Sequence, residues 1–218
     1  MSLFVHTMGA YASYPRSEYE WRDDDYRVNK LVKAVKGVPI NGSAQILSLD
    51  KQWITIDNTN RANAFELFGR WGAKKLAELG ISSATLVPVP SSSHTVENEL
   101  FTGTQLAQAV AYCSPEGIVA RDPLRFRSAM EKSSKGGSRN WALIKANLVC
   151  TPPNQPGTVV LIDDVMTLGG HLRACADVLR SHGMRVEHAL TVGRTVKTPV
   201  QAPFAMPPED LEDFSFLV

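Results

Sequence analysis

Apolar residues along the chain recur with two different periods, and these alternate from residue 61 to residue 196. In several long stretches, positions three and four apart are apolar, which is typical of helices with one buried face. Between them lie short runs rich in Val, Ile and Leu, which are typical of buried strands. The predicted helices are 26–36, 61–79, 101–112 and 171–182. The predicted strands are 46–49, 53–56, 84–89, 118–121, 158–164 and 186–193.

This alternation predicts an α/β protein with a mostly parallel central sheet and helices on both faces. Residues 61–196 would form the core. The segment 1–60 contains a helix with a basic face, of the kind that is usually solvated, and a β-hairpin. The segment 197–218 is a Pro-rich, acidic tail. Its apolar residues either anchor the tail on the core or belong to a mobile end, and they are Phe214, Phe216 and Leu217.

Composition and charge exclude several classes of protein. The 218 residues are 44% hydrophobic and 21% charged, which is ordinary for a globular protein, and a net charge of +1 argues against a nucleic-acid partner. No apolar stretch reaches the length of a membrane span, and the N-terminus lacks a signal-peptide pattern. Cys113, Cys150 and Cys175 share no metal-binding spacing, so we predict free thiols and no metal site. A cytoplasmic protein with no membrane partner is expected.

The most informative segment is 159–171, where four apolar residues lead into Asp163 and Asp164, a Gly-rich turn and a helix. A continuous apolar run predicts a central parallel strand, and ligands bind beyond the carboxyl ends of such strands. The carboxylates can accept hydrogen bonds from hydroxyls, while the turn and the helix N-terminus can present N–H groups to a phosphate. This pairing fits a sugar phosphate. The alternative is an ordinary buried strand whose carboxylates stabilise the start of the helix.

This segment resembles the signature of the type I phosphoribosyltransferases, which use phosphoribosyl diphosphate (PRPP). The resemblance implies that Asp163 and Asp164 are the catalytic acid pair and bind the ribose 2′- and 3′-hydroxyls. The substrate-binding loop around the 5′-phosphate would consist of Val165, Met166, Thr167, Leu168, Gly169, Gly170 and His171. Leu168 stands where a small or hydroxyl residue is common in the family, and His171 where Thr or Ser is common. Phosphate binding would therefore depend on backbone amides.

A second motif follows the predicted strand 84–89. Pro88 and Pro90 predict a rigid exit from the sheet, and the hydroxyls and amides of three serines come directly after it. By the same resemblance, Ser91, Ser92 and Ser93 are candidates for a substrate-binding loop that holds pyrophosphate. The alternative is a plain turn.

The order of several further segments resembles the ComF group, competence proteins with a phosphoribosyltransferase-like domain. This resemblance covers roughly residues 84–196 and includes 101–107, 139–140, 174–180 and 190–195. The Cys-rich, zinc-binding N-terminus that is typical of the group is missing from this chain.

A basic segment lies between the two motifs. It contains two glycines, Gly136 and Gly137, among Arg125, Arg127, Lys132, Lys135 and Arg139. Many type I enzymes close a mobile basic loop over PRPP, where it stabilises the departing pyrophosphate. A solvated linker is the alternative.

The resemblance implies a phosphoribosyltransferase-type enzyme that binds PRPP with Mg²⁺ and transfers phosphoribose to a nitrogenous acceptor, releasing pyrophosphate. Mg²⁺ would be held mainly by pyrophosphate and ribose oxygens. The acceptor is unknown and would bind to a small hood formed by residues 1–60 or the tail. The sequence does not decide whether the protein forms a homodimer. The alternative from another class is a non-catalytic regulator that senses PRPP or a nucleotide, or a competence-type protein that handles single-stranded DNA.

Overall fold

The computed structural model describes residues 2–96, 99–130, 141–151 and 157–212. Its largest element is a six-stranded sheet with the strand order β10-β1-β9-β8-β4-β5. These strands are β1 (Phe4–Ala12), β4 (Ala84–Pro88), β5 (Ile118–Ala120), β8 (Thr158–Met166), β9 (Arg185–Val196) and β10 (Glu209–Asp210). All neighbouring pairs are parallel except β1 and β10. The predicted mostly parallel sheet is therefore confirmed.

Helices cover both faces of this sheet, as predicted. They are α1 (Asp23–Val35), α2 (Ala62–Glu78), α3 (Thr102–Tyr112), α4 (Trp141–Asn147) and α5 (Gly170–Ser181). Apolar residues of α1, α2 and α3 form one core cluster with the sheet, and those of α4 and α5 form another. Because β4 and β8 are covered on both sides, most of their residues are apolar with little alternation.

Two small antiparallel sheets flank the main sheet. The predicted hairpin is present as β2 (Ala44–Leu47) and β3 (Trp53–Ile56), with Ile46 opposite Ile54. The second small sheet, of β6 (Leu124–Phe126) and β7 (Leu148–Cys150), was not predicted. It covers the same side of the sheet as α5, because Leu124, Phe126 and Leu148 belong to the cluster around that helix.

The N-terminal segment is the main correction to the prediction. Strand β1 was not predicted, yet it lies inside the central sheet between β9 and β10. A boundary between residues 60 and 61 therefore cuts through the core, and a separate hood cannot include β1. That the hairpin β2–β3 forms part of an acceptor-binding hood stays a prediction. Of the predicted basic segment, residues 131–140 lie outside the described residues, as do residues 213–218 of the tail.

None of the helices in the described part of the chain is long and apolar enough to cross a membrane.

Two histidines of neighbouring strands face each other in the sheet. His6 Nε2 on β1 lies 3.2 Å from His188 Nδ1 on β9. A hydrogen bond at this distance needs one ring nitrogen to donate and the other to accept, so at least the accepting ring must be neutral. Burial, followed by the charges of His188 and Lys75, lowers the pKa of His6 from 6.5 to about 4. The fold therefore binds fewer protons here than the unfolded chain does at mildly acidic pH.

We predict that, because of this pair, the free energy of unfolding decreases as the pH decreases. The contribution is complete above pH 6.5 and is lost as the pH decreases from there toward 4, because only the unfolded chain gains the proton in that window. At pH 5 the loss from His6 is about 2 kcal/mol. Urea unfolding at pH 7 and pH 5 measures this change in the free energy of unfolding. His6→Gln should reduce the change, whereas His182→Gln, at an exposed histidine, should leave it as in wild type. An equal pH effect in wild type and His6→Gln would contradict the prediction.

Candidate active site

The acid pair lies near the carboxyl end of β8, a central strand of the sheet. Parallel neighbours flank β8 on both sides, with Ile162 opposite Leu190 of β9 and opposite Pro88 of β4. The strand continues to Met166 and not only to residue 164 as predicted. Asp163 and Asp164 therefore belong to its paired part, where the backbone holds them rigidly.

The loop after β8 surrounds a small cavity of about 40 Å³. Asp163 and Leu172 line it, and so do all seven predicted loop residues. These are Val165, Met166, Thr167, Leu168, Gly169, Gly170 and His171. Gly169 has φ +71° and precedes the first residue of α5. The first N–H groups of that helix have no partners within it, so this end of α5 favours an anion.

The two carboxylates are oriented differently. Asp163 Oδ1 accepts the N–H of Asp164 at 2.8 Å, and Asp164 Oδ1 accepts the N–H of Val165 at 2.6 Å. Each side chain is thereby held through one oxygen, and its second oxygen takes no part in that bond. Asp163 lines the cavity, whereas Asp164 Oδ2 lies 3.2 Å from Lys36 Nζ. Burial, and after it the charge of Asp164, raises the pKa of Asp163 well above its usual value.

Lys36 reaches the acid pair because α1 lies across the strands. Val28, Val32 and Lys36 are four residues apart and share one face of the helix. A Cβ added at Gly9 of β1 would lie 2.7 Å from Val28, and one at Gly193 of β9 would lie 2.9 Å from Val32. These glycines are directly paired in the sheet. The helix can therefore touch β1 and β9 closely, and one turn later Lys36 meets β8.

Sequence reasoning missed Lys36 as part of the site. In the sequence it is one of several basic residues on α1, and nothing near it marks a ligand. The available signal was the pair of strand glycines, but their effect depends on which strands are neighbours, which the sequence does not show.

The two unusual loop residues have different surroundings. Leu168 is 70% exposed, so it leaves the loop backbone accessible. His171 is half-buried, its ring lies edge-on to Phe126 at 6.2 Å, and burial lowers its pKa. At neutral pH His171 can therefore donate or accept a hydrogen bond as a neutral ring.

The predicted serine loop leaves the sheet beside the acid pair. Val89 N donates to Ile162 O at 2.8 Å, which places the loop next to the end of β8. Its backbone is fixed, since Ser92 O accepts the N–H of Met130 at 2.7 Å and Ser91 O that of His94 at 2.9 Å. Ser91 and Ser93 are exposed. Within the described residues, the serines belong to the same sheet edge as the cavity but not to its wall.

A buried histidine at the end of this loop was also missed. The His94 side chain is fully buried, with Nε2 3.0 Å from the Asp122 carboxylate and Nδ1 3.5 Å from that of Glu99. Its ring centroid is 4.4 Å from that of Phe101. Asp122 and Glu99 also line a second cavity of about 400 Å³ between α3 and the carboxyl ends of β4 and β5. His94 therefore joins the serine loop to the elements around that cavity.

No protein-family model and no curated protein matches the chain. Among solved structures, the chain is similar to an orotate phosphoribosyltransferase from Aeropyrum pernix, with 17% identity over 75% of this chain and 81% of that one at a TM-score of 0.37. An adenine phosphoribosyltransferase from Thermoanaerobacter pseudethanolicus has 15% identity over 70% of this chain and 95% of its own, at a TM-score of 0.40. An orotate phosphoribosyltransferase from Mycobacterium tuberculosis H37Rv has 14% identity over 78% of this chain and 96% of its own, at a TM-score of 0.32. Scores this low establish neither a family nor an activity.

Proposed function

We propose that the protein binds PRPP at the end of β8 and transfers its phosphoribosyl group to a nitrogenous acceptor. The observation that carries the proposal is that Asp163 and the loop from Val165 to His171 line one cavity. A carboxylate beside a glycine turn at a helix N-terminus offers acceptors for ribose hydroxyls and donors for a phosphate in one place. An ordinary buried strand does not require that combination.

In the proposed reaction the bond from ribose C1 to the pyrophosphate oxygen breaks, and pyrophosphate leaves with the electron pair. A nitrogen of the acceptor forms the new bond to C1 and gives up its proton. The carboxylates orient the ribose and stabilise the positive charge that develops at C1. The serine loop, beside the acid pair at the same edge, would bind pyrophosphate through its hydroxyls and amides.

Magnesium would act mainly through the substrate. Mg²⁺ prefers oxygen ligands and keeps several waters, and when bound it would supply positive charge to offset that of a pyrophosphate. Asp164 already contacts a lysine ammonium, and burial favours the protonated form of Asp163. This pair fits a ribose better than a bare divalent ion, so we assign the metal to pyrophosphate and ribose oxygens.

A non-catalytic PRPP sensor is the second candidate. The observation that favours it is the substrate loop, in which an exposed Leu168 and a half-buried, neutral His171 stand at positions where the resemblance would place small or hydroxyl residues. Incubation with PRPP, Mg²⁺ and a panel of purine and pyrimidine bases distinguishes the two. An enzyme releases pyrophosphate with at least one base, whereas a sensor binds PRPP without releasing any.

We predict that PRPP with Mg²⁺ stabilises the fold. At a hundred times its dissociation constant, a ligand that binds only the folded chain adds about 2.7 kcal/mol. For a domain of this size, that raises the melting temperature by roughly 5–10 °C. Thermal melts with millimolar PRPP measure the shift, with ADP and Mg²⁺ as the control for a general polyphosphate effect. A shift with ADP but none with PRPP would overturn the proposed function.

A further inference from the structure

Among the residues that the structure describes, Lys36 is the cation that contacts the acid pair, and the architecture of the sheet places it there. We propose that Lys36 is a positioning residue of the site, whose ammonium is the permanent counter-ion of Asp164 and orients its carboxylate toward a ribose hydroxyl. This inference rests on the proposed function, since it assigns a sugar phosphate as the ligand that benefits.

The contact leaves Asp164 able to bind a ligand. One of its oxygens accepts the Val165 N–H and the other faces Lys36. A carboxylate oxygen has two acceptor positions, so each still has room for a hydroxyl. The side chains of Lys36 and Asp164 are 38% and 27% exposed, so a small ligand can reach the pair from solvent.

The position of Lys36 is determined by buried neighbours, not by a flexible surface segment. Its backbone N–H donates to Val32 O at 3.0 Å, and Val32 is itself buried over Gly193. The start of the side chain is therefore fixed relative to β9, the strand next to Asp164. An ordinary surface ion pair lacks this support and contributes little.

Charge in the pair makes a fixed cation useful. Two neighbouring carboxylates repel each other, and the charge of Asp164 raises the pKa of Asp163, whereas Lys36 opposes that rise. Without the ammonium, the pair would take up a proton more readily and would repel an anionic ligand more strongly. Two further titratable groups lie beside the pair, Cys175 of α5, whose thiol is buried near Asp163, and His171 of the loop.

The test measures ribose 5-phosphate binding by calorimetry in the presence of a chelator, so that no divalent ion can replace the ammonium. Lys36→Met should weaken binding about tenfold or more, because a charge-assisted contact is lost. Lys36→Arg should restore most of the affinity, since it keeps the positive charge. Lys30→Met is the matched control, because Lys30 is on the same helix but donates to Ser43 O. It should bind as wild type does.

A second measurement does not depend on the ligand. Carboxyl-carbon NMR should show that the acid pair titrates at a higher pH in Lys36→Met than in wild type or Lys30→Met. If wild type binds neither ribose 5-phosphate nor PRPP, the proposed function fails, and this titration still decides whether Lys36 is the counter-ion. Unchanged or tighter binding in Lys36→Met, an equal loss in Lys36→Arg, or an unshifted titration would overturn the inference.

Discussion

Replacing Asp163 and Asp164 together with Asn should abolish PRPP binding while the protein stays folded. Both carboxylates are fixed by a following backbone N–H, so Asn keeps the shape and one acceptor oxygen at each position. What disappears is the negative charge of the pair at Asp164, and one acceptor oxygen at each position, because Asn has an NH₂ group in its place. The loss of two hydrogen bonds to ribose hydroxyls corresponds to about a hundredfold or greater reduction in affinity. Calorimetric titration with PRPP and Mg²⁺ measures the loss.

The two single variants, Asp163→Asn and Asp164→Asn, should show that the acids contribute to ligand binding and not to the stability of the fold. A raised pKa means that the fold disfavours the ionised form of Asp163, so the wild-type fold loses stability as the pH rises through that pKa. Asp163→Asn removes this cost and should unfold at the same or a higher urea concentration at pH 7. Asp164→Asn leaves the Lys36 ammonium without its carboxylate, but in a partly exposed position where the cost is small.

Asp177→Asn provides the control, because Asp177 is a carboxylate on α5 that pairs with Lys145. It should leave PRPP affinity unchanged. If the double variant unfolds, or if it binds PRPP as tightly as wild type, the acids are a structural feature of the strand end and the proposed site is wrong.

The sequence predicted the elements whose evidence is local. Strand β8 is a continuous apolar run, and its acids, glycines and following helix are adjacent in the chain, so one short segment specifies most of the cavity. Strand β1 is equally buried but was missed. His6, Thr7 and Gly9 interrupt its apolar residues, and they fit the interior only because of partners on β9. His6 pairs with His188, Thr7 hydrogen-bonds Thr191 at 2.8 Å, and Gly9 makes room for α1.

The missed site residues share the same cause. Lys36 and His94 acquire their roles from contacts with residues far away in the sequence, Asp164 for the first and Asp122 for the second. A buried His between carboxylates has no sequence pattern, because the carboxylates come from other segments. The serine loop illustrates the intermediate case. A place at the ligand-binding edge of the sheet was expected from the family resemblance, whereas its neighbour in the sheet and the orientation of its side chains were not.

Replacing Gly169 with Val should both weaken PRPP binding and destabilise the fold. Gly169 has φ +71°, a conformation that costs a β-branched residue roughly 1–3 kcal/mol. The loop would have to change its path, and the backbone N–H groups of the loop would move with it. We expect PRPP affinity to fall about tenfold or more, because a phosphate held by several amides loses more than one of them.

The structure adds a second reason that the sequence did not reveal. A side chain at Gly169 would not simply fill the anion's space, since its Cβ would lie 2.6 Å from Leu211 Cδ1. Leu211 belongs to the C-terminal segment, where its N–H donates to Leu3 O at 3.0 Å and the neighbouring Glu212 pairs with Arg180. Val at position 169 should therefore also displace this segment from the loop.

Matched variants separate the two effects. Gly183 also has a positive φ, +80°, but nothing lies within 4 Å of the Cβ it would carry, so Gly183→Val imposes backbone strain alone. It should lower the free energy of unfolding less than Gly169→Val and leave PRPP affinity unchanged. Leu211→Ala removes the steric conflict, so combining it with Gly169→Ala should cost less stability than the sum of the two single variants. Urea unfolding and calorimetry on the same set measure both quantities. Undiminished PRPP affinity in Gly169→Val would show that the phosphate binds elsewhere.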